Sequence, residues 1–250
     1  IKDFASECET VYVLEELDDY IETHCKKIGV NVIGKSEFTL LGEYSQGLIR
    51  KVILKEEVQN ILPTVNIPAR PPVLCAGCPH RGLFYALKRL NVTVSGDIGC
   101  YTLGALPPFR AIDSCVDMGA SITMAKGAAD AGVHPAIAVI GDSTFTHSGM
   151  TGLLDAVNDG SRITVIISDN LTTAMTGGQD SAGTNKFEAI CLGLGVEPEH
   201  VRVVVPLPKN MEEITRIIRE EIDYNGVSVI IPRRECMQTL KRKLRQNKTK

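Results

Sequence analysis

The sequence predicts an α/β fold, a mostly parallel sheet with helices on both faces, preceded by a partial αβ domain. Three observations carry this. Residues 136–140 (AIAVI) and 163–167 (ITVII) are short, continuous apolar runs with the length and β-branched content of parallel strands buried on both faces. Between them Met150, Leu153, Leu154 and Val157 recur at helical spacing, closed by Gly160, which makes a β-α-β crossover. Each run ends in a polar cluster, Gly141-Asp142-Ser143 after the first and Asp169-Asn170-Leu171-Thr172 after the second. That places carboxylate and amide oxygens at the carboxyl edge of the sheet, where open α/β folds bind ligands.

The other elements follow in order. Residues 1–60 read as a small αβ segment, with strands at 11–14 and 30–33 and helices at 18–27 and 48–61. Its acidic cluster, Glu15, Glu16, Asp18 and Asp19, suits the positive end of a helix dipole better than a metal. The segment shows no site and reads as the end of a longer domain. Residues 62–72 hold four prolines, which cannot sit inside regular ladders, so they form a linker. The boundaries are therefore 1–66, 67–240 and a basic tail at 241–250. After the linker a short strand leads into Cys75-Ala-Gly-Cys78-Pro79-His80-Arg81-Gly82 and a helix carrying Leu83, Phe84, Leu87 and Leu90, with Pro79 in its first turn. A strand at 92–95 ends in Gly96-Asp97-Ile98-Gly99-Cys100, and Asp117–Ser121 opens a small-residue helix at 122–132. A helix at 186–194, a strand at 201–206, a helix at 211–224 and a last strand at 228–231 complete the pattern. The tail has six Lys or Arg and is expected to be solvated and mobile.

Composition narrows the function. The chain has 250 residues, 44% hydrophobic, enough for one large or two small domains. A net charge of −3, with no basic stripe before the last dozen residues, argues against nucleic acid as the main partner. No apolar run approaches a membrane span. Eight cysteines without a secretory signal predict reduced thiols in the cytoplasm.

The polar clusters suit a divalent cation that holds a diphosphate. Mg²⁺ takes a near-octahedral shell of oxygens, few of them from protein. Asp142 offers a carboxylate oxygen, Asn170 an amide oxygen, and Thr172 a backbone carbonyl. Gly141 and Ser143 would let the backbone approach the phosphates. The first triplet is followed by 25 residues and then Asp169-Asn170. That spacing resembles the thiamine-diphosphate motif, with Ser143 for its last glycine and Asp169 for its first asparagine. Among the cysteines, Cys75, Cys78 and Cys100 fall on two loops at one sheet edge. Cys236, Cys115 and Cys191 compete for a fourth place. Cys236 follows a strand, and the charges of Arg233 and Arg234 would favour its thiolate. Spacing alone leaves an iron–sulfur cluster, a zinc ion or no site open. His80, Arg81 and His147 flank these loops and are the catalytic candidates. Each histidine could instead be a structural hydrogen-bonder, and Arg81 could meet a substrate carboxylate or an internal acid.

Five stretches occur in order: CAGCPHRG at 75–82, GDIGCYTLG at 96–104, DMGAS at 117–121, GDSTFTHSG at 141–149 and DNLTTAMTGGQ at 169–179. Together they resemble the large subunit of the indolepyruvate:ferredoxin oxidoreductases, within the 2-oxoacid:ferredoxin oxidoreductase family. EELDDYIE with VNVIGKSEF, at 15–38, is similar to the transketolase-C-like domain that precedes the cofactor domain there. The resemblance implies a thiamine-diphosphate-binding fold with thiamine diphosphate, Mg²⁺ and a [4Fe–4S] cluster. The implied reaction is oxidative decarboxylation of an aryl 2-oxo acid, with coenzyme A as acyl acceptor and ferredoxin as electron acceptor. The cofactor would lie against Gly99, Gly119, Ala120, Gly141, Asp142, Ser143, Thr144, Asn170 and Thr172, with Asp142, Asn170 and Thr172 on Mg²⁺. The cluster would take Cys75, Cys78, Cys100 and Cys236. Implied partners are a smaller (β) subunit, or a chain carrying the pyrimidine-binding domain, in an oligomer. Neither that domain nor a terminal ferredoxin-like domain is matched by these residues. The chain is therefore expected to be a fragment or split-gene product, incomplete as a catalyst by itself. The rival readings are a non-oxidative thiamine-diphosphate decarboxylase or synthase domain, and a silent cofactor-binding subunit.

Overall fold

In the structure, a computed structural model that describes residues 1–57 and 67–248, the chain divides into two units, Ile1–Ala69 and Arg70–Lys250. The second carries a six-stranded sheet. Its strands are β1 (Val94–Gly96), β2 (Ser114–Cys115), β3 (Ile137–Gly141), β4 (Ile163–Ser168), β5 (Val201–Val204) and β6 (Val227–Pro232), all parallel in the order β2-β1-β3-β4-β6-β5. The helices are α1 (His80–Leu90), α2 (Ala120–Asp130), α3 (Met150–Asn158), α4 (Phe187–Gly193), α5 (Met211–Asp223) and α6 (Met237–Lys248).

Alternation along the buried strands feeds two cores. Ile137, Val139, Ile166 and Ile230 pack with Leu83, Phe84 and Leu87 of α1 and Ile214, Ile217 and Ile218 of α5. Ala138, Ile140, Val165, Ile167, Val229 and Ile231 pack with Ile122, Leu153, Phe187 and Cys191 on the other face. A strand covered on both sides has no polar face, which is why these runs read as continuously apolar. Each fully buried aliphatic side chain contributes about 1.5–3 kcal/mol of transfer free energy. Gly141 of β3 pairs with Ser168 of β4, so the two strands end level. The chain runs from β1 outward to β2, then crosses back to β3 on the other side of β1. The order therefore reverses between β1 and β3, and a crevice opens there at the carboxyl edge.

Several expectations change. The strands at 11–14 and 30–33 reduce to one parallel bridge, Tyr12 with Ile33, over a small core of Val13, Cys25, Val30 and Val32. The helix at 48–61 ends at Leu54, because Lys55 takes a left-handed φ of 54°; residues 58–61 lie outside the described residues. Linker residues 67–72 form no regular element, and 62–66 are likewise outside. The short strand before Cys75 is absent. Instead of a bare tail, Met237–Lys248 forms α6. Among the described residues no helix is long and apolar enough to cross a membrane.

Candidate active site

A cavity of ≈ 140 Å³ fills the crevice at the β1/β3 reversal. Asp142 opens a continuous helical run that passes through a π-turn (Phe145–Gly149) into α3. From β4, Asp169 and Asn170 leave the sheet at the same height as Asp142. Both loops meet at one donor. The Thr172 backbone N–H is shared between Asp142 Oδ2 and Asn170 Oδ1, 3.2 Å from each. Ser143 N–H donates to Asp142 Oδ1 at 2.7 Å. Burial, aided by the charge of Asp169, still pushes the Asp142 carboxyl up to about 6.

Gly99, Gly141, Ser143, Thr144, Asn170 and Thr172 line this cavity with Asp142. Gly119 and Ala120 do not; Met118 lines it in their place. The reason is Asp97, which spacing did not single out. Fully buried, it accepts hydrogen bonds from Gly119 N–H at 3.1 Å, Ser121 Oγ at 2.7 Å and the Tyr101 hydroxyl. It thereby ties the β1 loop to the start of α2, and burial pushes its carboxyl up to about 6. The signal was present, since Gly96-Asp97 repeats the Gly-Asp pattern of 141–142. Sequence does not tell a carboxylate facing a ligand from one facing the protein. Gly99 and Gly141 also have a protein reason to be glycine: a Cβ would stand 2.3 and 2.5 Å from the Tyr101 ring. Thr144 Oγ1 donates to Ile98 O at 3.1 Å and binds the β3 loop to the β1 loop.

The three catalytic candidates part company. His80 is buried at the first turn of α1. Asn170 Nδ2 donates to its Nε2 at 3.2 Å, so Nδ1 carries the ring proton and donates to Ser168 Oγ at 2.5 Å. Burial pushes the ring down to about 4, which keeps it neutral near pH 7. It holds the Asn170 amide with Oδ1 towards Asp142. Arg81 donates to the carbonyls of Leu74 and Cys75, 3.3 Å each, not to an acid. His147 is exposed, 3.0 Å from Ser148 Oγ, and lines neither this cavity nor the next.

A second cavity of ≈ 120 Å³ adjoins the first, and Cys75, Cys78, Cys100 and Cys236 all line it. His80, Cys100, Asn170 and Ala174 line both. A tight turn (Cys78 N–H to Cys75 O, 3.1 Å) sets the first pair, and Cys236 N–H reaches Asn170 O at 3.0 Å. Burial, with mutual repulsion of the other thiolates, pushes Cys78 up to about 11, and Cys100 rises for the same reasons. The competitors lie elsewhere: Cys115 donates to Asp97 O at 3.0 Å, and Cys191 is on the buried face of α4, in the core. All eight thiols are free. Among the described residues no three His, Cys, Asp or Glu side chains converge as on a single metal ion. Arg233 is not available to Cys236. Its Nε donates to Asp169 Oδ2 at 2.6 Å and its two terminal nitrogens to Glu188 at 2.7 Å each. That pairing explains an aspartate at 169.

Residues 97–231 match the family described as thiamine pyrophosphate enzyme, C-terminal TPP binding domain. The chain belongs to the thiamine pyrophosphate enzymes. It is similar to the indolepyruvate oxidoreductase subunit IorA of Archaeoglobus fulgidus, 35% identical over 94% of this chain and 42% of that protein. The subunit of the same name from Methanothermobacter thermautotrophicus is 34% identical over 95% of this chain and 43% of that protein. The chain thus spans about two fifths of the length of these curated relatives. Among solved structures, 2-oxoglutarate:ferredoxin oxidoreductase from Magnetococcus marinus, with 2-oxoglutarate, coenzyme A and succinyl-CoA bound, superposes with a TM-score of 0.54 at 16% identity. That likeness covers 68% of this chain and 66% of that one, and it shows a shared fold.

The residues fit what a thiamine pyrophosphate enzyme must hold. Thiamine pyrophosphate (thiamine diphosphate) is gripped through a divalent cation, which prefers hard oxygen donors. Asp142 and Asn170 offer two such oxygens at neighbouring strand ends beside the cavity. Among the described residues the Asp142 carboxyl, held up at about 6, has no cationic partner, and a cation would reverse that shift. The cysteine cavity, with four thiols and no acid lining it, has the soft donors an iron–sulfur cluster takes.

Proposed function

We propose that this chain is the cofactor-binding part of an indolepyruvate:ferredoxin oxidoreductase, decarboxylating an aryl 2-oxo acid oxidatively with coenzyme A as acyl acceptor and ferredoxin as electron acceptor. One observation carries the reading: the four cysteines share a cavity whose wall (His80, Cys100, Asn170, Ala174) is also the wall of the cofactor cavity. Electrons released at the cofactor would have an outlet one residue away, which a non-oxidative decarboxylase does not need. Bound thiamine diphosphate supplies the carbanion nucleophile and electron sink of the reaction. The chain's own residues position it. Asp142, Asn170 and the Thr172 carbonyl hold Mg²⁺ on the diphosphate. Gly99, Ser143 and Thr144 shape the diphosphate cradle. His80 fixes the Asn170 amide, and Cys75, Cys78, Cys100 and Cys236 hold a [4Fe–4S] cluster. The eight free thiols support a reducing compartment such as the cytoplasm for it. A smaller subunit, or a chain bearing the pyrimidine-binding domain, completes the oligomer. Iron and acid-labile sulfide analysis of anaerobically purified chain tests the reading. Four irons per chain are expected. Iron-free chain that still binds thiamine diphosphate would return it to the non-oxidative enzymes.

A further inference from the structure

A third pocket, ≈ 350 Å³, opens on the far side of the Cys75–Cys78 turn. Cys78 lines both this pocket and the cysteine cavity, and the pocket shares no lining residue with the cofactor cavity. The three spaces thus stand in series: cofactor, cysteines, pocket. Among the described residues Arg81, Arg89 and Arg234 line the pocket and no acidic residue does. Among the described residues none of the three makes an ion pair. Arg81 donates to two backbone carbonyls and lies over the Phe109 ring, 5.6 Å from its centroid, and Arg234 reaches the Met237 sulfur at 3.9 Å. The floor is apolar, from Pro206, Pro208 and Met211, with Tyr85 47% exposed beside it. Uncompensated guanidiniums on a chain of net charge −3 make a local field that attracts acid groups. Arginine with an exposed aromatic is also the composition of an interface centre.

We propose that this pocket docks an acidic one-electron carrier protein, which takes electrons from the cluster through the Gly77–Cys78 wall. An acyl acceptor cannot use the site, because the cysteine cavity lies between it and the cofactor. In each event one electron leaves the reduced cluster and enters the oxidised carrier, and no bond or proton moves. The proposal rests on the cluster reading above. Its test is a binding titration with an acidic [2Fe–2S] ferredoxin as probe, at low and moderate salt, on chain with or without iron. Failure of the cluster reading shows separately, as absent iron. R89E/R234E is expected to weaken binding by about tenfold and to flatten its salt dependence. R89E alone, on the exposed face of α1, is expected to weaken it by about threefold. K27E/K51E, equal in net charge but in the first unit, is expected to bind as the parent does. Equal affinity in parent and R89E/R234E, equal losses in K27E/K51E, or no binding at all overturns the proposal. So does displacement of the ferredoxin by micromolar inorganic pyrophosphate, which would assign the arginines to a small anion.

Discussion

Asp142 and Asp97 are both buried, both follow a glycine at a strand end, and both are held at about 6 by burial, yet their surroundings differ. Asp142 has two backbone N–H donors and faces open space beside Asn170. Asp142→Asn is expected to abolish Mg²⁺-dependent binding of thiamine diphosphate while leaving the fold intact; calorimetry reads the first, circular dichroism the second. Asp97 faces protein, so its substitution should appear in stability. A carboxyl whose proton is held more tightly in the folded chain stabilises it fully below about pH 4. That contribution declines as pH rises through 6. Between those pH values the parent should lose up to about 3 kcal/mol relative to Asp97→Asn, measured by urea unfolding. His80 and Asp142 titrate in both proteins and cancel. The Asp142 and Asn170 positions were legible because their motif is local in sequence and its loops end neighbouring strands. Asp97 was not, since its partners Gly119 and Ser121 lie 22 and 24 residues away.

The elements carry their own lessons. The cysteine spacing left the fourth ligand open, and strand order favours Cys236 for it: β6 lies beside β4, so its following loop comes down on the Asn170 loop and brings Cys236 to the cavity. Cys236→Ser is therefore expected to lose the cluster under anaerobic conditions, with Cys115→Ser and Cys191→Ser keeping four irons. Charge misled at the same place. Asp169 is fully buried between a turn, where it accepts Leu171 N–H at 3.1 Å, and Arg233. Arg233→Ala should cost about 3–5 kcal/mol by stranding that carboxylate. Adding Asp169→Asn should recover most of the loss, and a double-mutant cycle by thermal or urea unfolding measures both. The basic run at 241–250 was legible as charge, but the helix over its described residues, 241–248, was not. Yet Lys, Arg, Leu and Gln are strong helix formers, and no Gly or Pro interrupts them. The first turns of α6 also find partners. Gln238 Nε2 lies 3.4 Å from Cys75 Sγ, and Arg242 donates to Gly177 O at 2.8 Å. So α6 braces both the cysteine turn and the 172–179 loop.

For the molecule as a whole, the architecture of the second unit was the most legible part, because two-sided burial writes itself as unbroken apolar runs. The first unit was the least, its strands being too short to form a ladder. At the mouth of the cofactor cavity Ile98, Met118 and Met175 are 40%, 39% and 60% exposed, an apolar rim of the kind that partner surfaces cover. These residues span about two fifths of the length of the curated relatives, so by themselves they are expected to show negligible indolepyruvate decarboxylation with thiamine diphosphate and Mg²⁺. Turnover should appear when a chain bearing the pyrimidine-binding domain is added; robust turnover by homogeneous chain alone would refute this. The level ending of β3 and β4 has one more consequence. Asp142 and Asn170 are held opposite each other by Gly141 facing Ser168, not by the 25 residues that separate the two clusters along the chain. The distance that matters is measured across the sheet, so the crossover on its outer face is free to grow or shrink at its turns. A residue inserted at 159–162 should leave Asp142 and Asn170 facing one another, whereas one inserted between 137 and 142 would shift Asp142 out of step with Asn170, which follows the strand that β6 also holds in place. Related chains can then carry the same grip with quite different intervals, and a search that demands a fixed count would pass them by.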